Sequence, residues 1–219
     1  GEYLLIVADG MGGHRAGEVA SSMVVTHLGK RFNDLVTVGT KYDATNWLKD
    51  NISEINHHIV EYASNNPESK GMGTTVVVAL LTHDFLLYAN VGDSSGFAMK
   101  NGHLLKVTKD HTLVQLLVQA GDLTEEEAKY HPKKNVLMKA LGGEEDVVPD
   151  IYEVDMSFDA ILLSSDGLTN MLSNEAIEKV LNDPELSVED KVVKLIRKCN
   201  ARGGTDNISV AYLVKESGE

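Results

Sequence analysis

GTTVVVALLTHDFLLYANVGDSSGFAMKNGHLLKVT, residues 73–108, is the stretch whose reading decides the fold. It divides into four apolar runs, GTTVVVALL, FLLYANVGD, SGFAMK and HLLKVT, each of strand length and each bounded by turn-forming residues. Asn101-Gly102 is the strongest of the turn signals, because both residues tolerate the left-handed backbone that a two-residue hairpin requires. The block therefore reads as an antiparallel meander.

Upstream, EYLLIVADG reads as a buried strand that starts almost at residue 1 with no lead-in, so a preceding segment is expected. A helix is predicted over residues 17–32, with Glu18 in its first turn, where the helix dipole favours an acid. Leu48, Ile52, Ile55, Ile59 and Tyr62 recur at steps of four and three, which predicts a second helix with one apolar stripe. SNNPESKGMG then breaks it.

Downstream, His111 to Gly143 turns helical in pattern, with Thr124 and Glu127 spaced as a capping box and Pro132 ending that helix. Strands are predicted at 148–155 and 159–165, short helices after the N-caps Ser173 and Ser187, and a final strand in NISVAYLV. Helices and strands thus come in blocks rather than in strict alternation. That segregation favours an α+β fold over a doubly wound parallel sheet; two sheets packed face to face with helices outside would bury the strand runs.

Composition narrows the function. The 219 residues suit one large domain or at most two small ones, and 42% hydrophobic with 24% charged residues is ordinary for a globular protein. The longest apolar runs, such as TVVVALL, fall short of the roughly 20 residues that cross a bilayer, so no membrane insertion is expected. Cys199 is the only cysteine and cannot form an internal disulfide, and no basic signal segment opens the sequence, so a reducing, cytoplasmic home is expected. A net charge of −13 argues against nucleic acid or an acidic membrane as a general partner.

Four aspartates stand where apolar runs meet turns. Asp9 follows YLLIVA, Asp93 follows FLLYANVG, Asp166 follows AILLSS, and Asp206 precedes NISVAYLV. Taken singly, each is most simply a turn former, because Asp-Gly and Asp-Asn pairs bond locally. Four at the ends of buried strands suggest convergence, and converging carboxylates need a compensating cation. Oxygen-only ligation points to Mg²⁺ or Mn²⁺. Zinc is disfavoured by the absence of an H-E-x-x-H or C-x-x-C pattern, and Ca²⁺ by the absence of an EF-hand loop. Asp9 opens a glycine-rich turn of the kind that usually cradles anions; a carboxylate there makes sense when it holds metal ions that attract a phosphate. The turn is no Walker A loop, because it lacks the Lys-Ser/Thr ending.

Beyond these single residues, VADGMGGHRAGEVAS, GMGTT, ANVGDS, KDHTLVQLLVQAG, HPKKNVLMKALG, LLSSDGLTNML and GGTDNISVAYL occur in the order seen in the bacterial metal-dependent serine/threonine phosphatases of the PPM, or type-2C, family. The chain resembles that family over nearly its whole length. The resemblance implies one catalytic domain over residues 1–219 that lacks an N-terminal segment, and a four-layer α-β-β-α sandwich with two mainly antiparallel sheets. It also implies a flap at 112–143 beside the active site, implicated in substrate choice.

Two Mn²⁺ or Mg²⁺ ions are implied at one end of the sandwich, with Asp9 bridging both, the Gly10 carbonyl on the second, and Asp166 and Asp206 on the first. Asp93 and Asp166 are the implied ligands of a weaker third ion. Asp9, Asp166 and Asp206 are the catalytic candidates, with Thr75 and Asn207 standing behind the ligands. The implied reaction is hydrolysis of phosphoserine or phosphothreonine by a metal-activated water, without a covalent enzyme intermediate. Phosphorylated proteins would be the substrates, a bacterial serine/threonine kinase the opposing enzyme, and the chain is expected as a monomer.

Two departures stand out. The family carries an upstream arginine that clamps phosphate and an upstream acid that supports the second metal; neither lies in the sequence from Gly1 onward. GDSS replaces the common GDSR, which puts Ser95 where an arginine would sit and predicts altered salt bridging there.

Among the histidines, His14 could approach bound phosphate, although a surface histidine after two glycines is as plain a reading. His111 and His131 border the flap and read as structural hydrogen-bonders, His57 and His58 as solvated helix residues, and Cys199 as a small packing residue. TEEEAK reads as a solvated helix face. Two rival functions stay open: a phosphoprotein-binding module without turnover, favoured by the two departures, and a metal-dependent phosphodiesterase or nuclease, disfavoured by the acidic charge.

Overall fold

Alternation along the central strands builds the layers. The computed structural model describes residues 1–215, apart from the side chain of His14. The chain begins with β1 (Tyr3–Val7), the two-residue β2 (Gly10–Met11), α1 (His14–Asn33) and α2 (Lys41–Asn65). The meander follows as β3 (Gly73–Thr74), β4 (Val76–Leu81), β5 (Leu86–Val91), β6 (Ser95–Lys100) and β7 (His103–Lys106). After it come α3 (Leu113–Ala120), α4 (Glu125–Tyr130), β8 (Asp150–Val154) and β9 (Ala160–Ser164). The chain closes with α5 (Asp166–Thr169), α6 (Asn174–Leu181), α7 (Val188–Ala201) and β10 (Val210–Val214).

Two four-stranded sheets form, in the orders β1-β4-β5-β8 and β10-β9-β6-β7, and β2 pairs with β3 apart from them. Every pairing is antiparallel. Successive side chains of a strand face opposite ways, so each central strand serves two layers. Val77, Ala79 and Leu81 of β4, with Leu86 and Tyr88 of β5, meet Ala98, Ile161 and Leu163 of the other sheet. The intervening Val76, Val78 and Leu80 pack beneath α1 and α2 through Val24, Leu28, Leu48, Ile52 and Ile59. On the far side, Phe97, Met99, Ala160 and Leu162 are covered by Leu168, Ile177, Leu195 and Cys199 of α5–α7. The result is the α-β-β-α sandwich that the sequence predicts. Among the described residues no helix is long and apolar enough to cross a membrane.

Local signals explain most boundaries. The hairpin between β6 and β7 turns at Asn101 and Gly102, with φ of 52° and 79°. Ser173 and Ser187 accept from the backbone N–H of Ala176 and Asp190, and Thr124 and Glu127 form the capping box of α4. Cys199 is fully buried as a packing residue.

Four expectations need correction. Helix α1 starts at His14 rather than 17, because Gly13 caps it with a positive φ of 87° and no side-chain bond; Glu18 consequently lies beyond the first turn. Tyr62 is 36% exposed and leaves the α2 stripe, while Asn56 is buried on that helix and bonds the Gly142 N–H and the Glu144 and Glu145 carbonyls. Residues 111–143 are helical only in α3 and α4. The remainder is held by isolated bridges at Thr112–Leu137 and Thr74–Leu141. The helix after Ser187 runs for 14 residues and is not short.

Candidate functional site

The four aspartates lie at strand termini on one end of the sandwich. Asp9 follows β1, Asp93 follows β5, Asp166 follows β9 as the first residue of α5, and Asp206 lies four residues before β10. Antiparallel pairing of β1 with β4 and of β4 with β5 brings the first two turns together. Pairing of β9 with β6 and β10 brings in the other two.

Thr75 links the first pair. Its Oγ1 accepts from the Asp9 N–H at 3.0 Å, its own N–H donates to the Asp9 carbonyl at 2.9 Å, and its hydroxyl lies 2.7 Å from that of Ser94, the neighbour of Asp93. The Thr74 hydroxyl also donates to the Asp9 carbonyl. Thr75 and Ser94 are both buried, so these bonds form in low dielectric and fix the backbone beneath both carboxylates.

On the second sheet Ser165 plays the matching part. It exchanges backbone and side-chain bonds with Ser209 and donates its hydroxyl to the Asn207 carbonyl at 3.2 Å. Asn207 therefore acts through its backbone, and its N–H donates to Asp206 Oδ1 at 2.8 Å. Asn170, one helical turn beyond Asp166, donates to Asp166 Oδ2 at 3.1 Å.

Two glycines allow this packing. A Cβ on Gly10 would lie 2.0 Å from the Gly17 carbonyl oxygen, where α1 crosses the turn, and a Cβ on Gly167 would lie 2.3 Å from the Asn207 carbonyl oxygen. A side chain at Gly10 would push the Asp9 turn off α1, and one at Gly167 would push the Asp166 and Asp206 turns apart.

The electrostatics are those of crowded carboxylates. Burial, then the negative charges of Asp166, Asp206 and Asp93, raise the pKa of Asp9. Burial and then Asp206 raise that of Asp166. Burial first, then Asp166 and Asp110, push Asp93 up to about 7 despite the opposing Lys106. Among the described residues no lysine, arginine or histidine forms an ion pair with any of the four aspartates.

The aspartates sense one another without closing into a finished cage. Asp206 is exposed, and among the described residues no three His, Cys, Asp or Glu side chains converge on one point fit for a metal ion. The donor set nonetheless fits a hard cation. It is all oxygen, no ion pair among the described residues offsets its charge, and the buried Oδ1 of Asp166 has no hydrogen-bond partner.

Of the remaining candidates, Gly10 lies in β2 opposite Thr74, directly after Asp9. His14 opens α1, and its side chain lies outside the described residues. His111 is a structural hydrogen-bonder: its Nδ1 accepts from the Gly92 N–H at 3.0 Å, and its Nε2 lies 3.1 Å from Asp150 Oδ2. His131 accepts from the Lys133 N–H within its own turn. Ser95 is buried in β6 opposite Ser164, and both hydroxyls lack partners; the position belongs to a sheet interior rather than to a salt bridge. Ser94 and Ser165 escape a sequence reading, because nothing in their local pattern marks the distant partners they bind; Asn170 escapes it because its bond to Asp166 depends on the short helix α5 between them.

The protein phosphatase 2C family model matches residues 1–208. The serine/threonine phosphatase stp of Listeria welshimeri is 42% identical over 208 residues, which cover 94% of this chain and 82% of that protein. The crystal structure of the serine/threonine phosphatase Stp1 from Staphylococcus aureus superposes with a TM-score of 0.92 at 37% identity, covering 99% of this chain and 85% of that one. The catalytic domain of the serine/threonine protein phosphatase PstP, solved in complex with two manganese ions, gives a TM-score of 0.82 at 36% identity, with 94% and 85% covered.

Proposed function

The chain belongs to the protein phosphatase 2C family and is a protein-serine/threonine phosphatase, and from that premise we propose that its chemistry resides at the aspartate end of the sandwich. Asp9, the Gly10 carbonyl, Asp166 and Asp206 would hold two divalent ions, Mn²⁺ or Mg²⁺, and Asp93 with Asp166 a third. The two manganese ions in the PstP relative support this reading. When bound, such a pair supplies an acidified water and neutralises the oxygens of a phosphoryl group, which suits a phosphate monoester, among the slowest of all substrates to hydrolyse unaided.

The chain's own residues supply the order. Thr75 and Ser94 hold the backbones of the Asp9 and Asp93 turns at a fixed spacing. Asn170 engages one oxygen of Asp166 and leaves the buried Oδ1 for a cation. Ser165 ties the Asp206-Asn207 turn to the strand that carries Asp166. Residues 112–143 act as the flap beside this end. The phosphatase works as a monomer in the cytoplasm and removes phosphate that a serine/threonine kinase has placed on proteins.

The observation that carries the reading is the set of half-buried, mutually repelling carboxylates that form no ion pair with a described lysine, arginine or histidine. Asp9→Asn and Asp166→Asn should each abolish Mn²⁺-dependent phosphate release from a phosphothreonine peptide, and each should weaken Mn²⁺ binding in calorimetry. Near-normal turnover and Mn²⁺ affinity in both variants would refute the assignment. Hydrolysis of a phosphodiester in preference to a monoester would point to the rival nuclease chemistry.

A further inference from the structure

The flap carries a surface unlike the rest of this acidic chain. Residues 128–143 contain four lysines and no carboxylate, in a protein with 33 acidic and 20 basic residues. Lys129 pairs with Glu126 and Lys139 with Asp150. Lys133 and Lys134 are exposed, and neither has an ion-pair partner among the described residues. Beside them Val136 and Met138 are 41% and 49% exposed, an apolar pair next to a basic pair.

This strip is tied to the aspartate end by a short run of hydrogen bonds. The Met138 N–H donates to the His111 carbonyl at 2.8 Å, and the Leu113 N–H donates to the Val136 carbonyl at 2.9 Å. His111 in turn exchanges two bonds with Gly92, one from its N–H to the Gly92 carbonyl and one from the Gly92 N–H to its Nδ1, both 3.0 Å. Gly92 is the residue before Asp93. The exposed side chains are thus carried by backbone pinned at two points, not by a loose tip.

We infer that the 133–138 strip docks the chain flanking the phosphorylated residue of a protein substrate, and that it selects acidic flanks with an adjoining apolar residue. The inference rests on the phosphatase reading above. Charge complementarity names the occupant: acidic flanks would meet repulsion from the carboxylates of this end and from the net charge of −13, and attraction over the adjacent Lys133 and Lys134, unpaired among the described residues. Val136 and Met138 give the neighbouring side chain an apolar surface, and methionine adapts to varied shapes.

The test compares phosphothreonine peptides of equal length whose flanks are glutamate or alanine, with p-nitrophenyl phosphate as a substrate that has no flanks. The wild-type chain, with Mn²⁺, should favour the glutamate peptide by about threefold to tenfold, the range two exposed ion pairs supply. The preference should lie in KM and shrink as salt is raised. Lys133→Glu combined with Lys134→Glu should remove or reverse it while p-nitrophenyl phosphate turnover stays unchanged, which also shows that the variant folds. Equal wild-type kcat/KM for both peptides, or a preference that survives the double substitution, would overturn the docking role and leave the phosphatase reading intact. Absence of turnover on every monoester would strike at that reading instead.

Discussion

The sandwich and residues 112–143, the proposed flap, are built on opposite terms. In β4, β5 and β9 every residue is buried, and alternate side chains are shared between the intersheet core and the helical layers. In α3 the sequence LVQLLVQA is also mostly apolar, yet only Val114 is buried, and α4 buries nothing. Apolar composition therefore does not decide burial here; the presence of a second layer does. The sandwich is held by packing on both sides of each sheet. The flap is held by caps, bridges and the His111 contact with Gly92, and stability in such a region is local.

The sharpest way to break this contrast is truncation. Leu162→Ala removes a fully buried side chain beneath α5–α7 and should cost about 3 kcal/mol. Leu116→Ala, at a flap side chain 48% exposed, should change stability by under about 0.5 kcal/mol. Urea midpoints compare the two, and equal losses would mean that the flap belongs to the cooperative core.

A smaller effect separates the aspartate end from the rest of the sandwich. Asp93 is an ordinary carboxylate near 3.8 when unfolded and is pushed up to about 7 by burial and by Asp166 and Asp110. Between those values the folded state holds a proton that the unfolded chain releases, so this group's contribution to stability falls as pH rises from about 4 to about 7. Asp9 and Asp166 shift in the same direction. In chelator-treated protein, Asp93→Asn should raise stability by about 2 kcal/mol at pH 8 and by only about a third of that at pH 5. Denaturant titrations at the two pH values provide the check; an equal effect at both would remove the charge explanation.

The smallest effect lies inside the flap. Thr124→Ala removes the hydroxyl that accepts from the Glu127 N–H and donates to the Glu127 carboxylate, which should weaken α4 by about 1 kcal/mol. Hydrogen exchange should accelerate across residues 124–130 while the amides of β4 and β5 keep their protection. Loss of protection in both regions would show that the flap does not open by itself.

The sandwich was legible because its cues are local: short apolar runs, the Asn101-Gly102 turn, and serine or threonine caps one residue before their helices. The start of α1 was not, since Gly13 caps it through backbone conformation and offers no side chain to recognise. In the flap the helical period was visible but its length was not, because tertiary bridges at Leu137 and Leu141 replace helix there. At the candidate site the turn aspartates could be picked out by position, and Thr75 only through the family motif that contains it. Ser94 and Ser165 could not: their hydroxyls reach residues 19 and 42 positions away, a relation that only folding creates.

The near-contact of Gly10 with Gly17 has a mechanical consequence. Backbone meets backbone there with no side chain between to bend or rotate, so the first acidic turn has no soft cushion against α1. That helix is 20 residues long, which at 1.5 Å per residue is about 30 Å. A few tenths of an ångström imposed on the Asp9 turn must travel into this rod, whose far end meets α2 at the Arg31–Glu54 ion pair. The Asp9 turn and the start of this helix are therefore in direct backbone contact, so a substitution at Gly10 or Gly17 disturbs both at once.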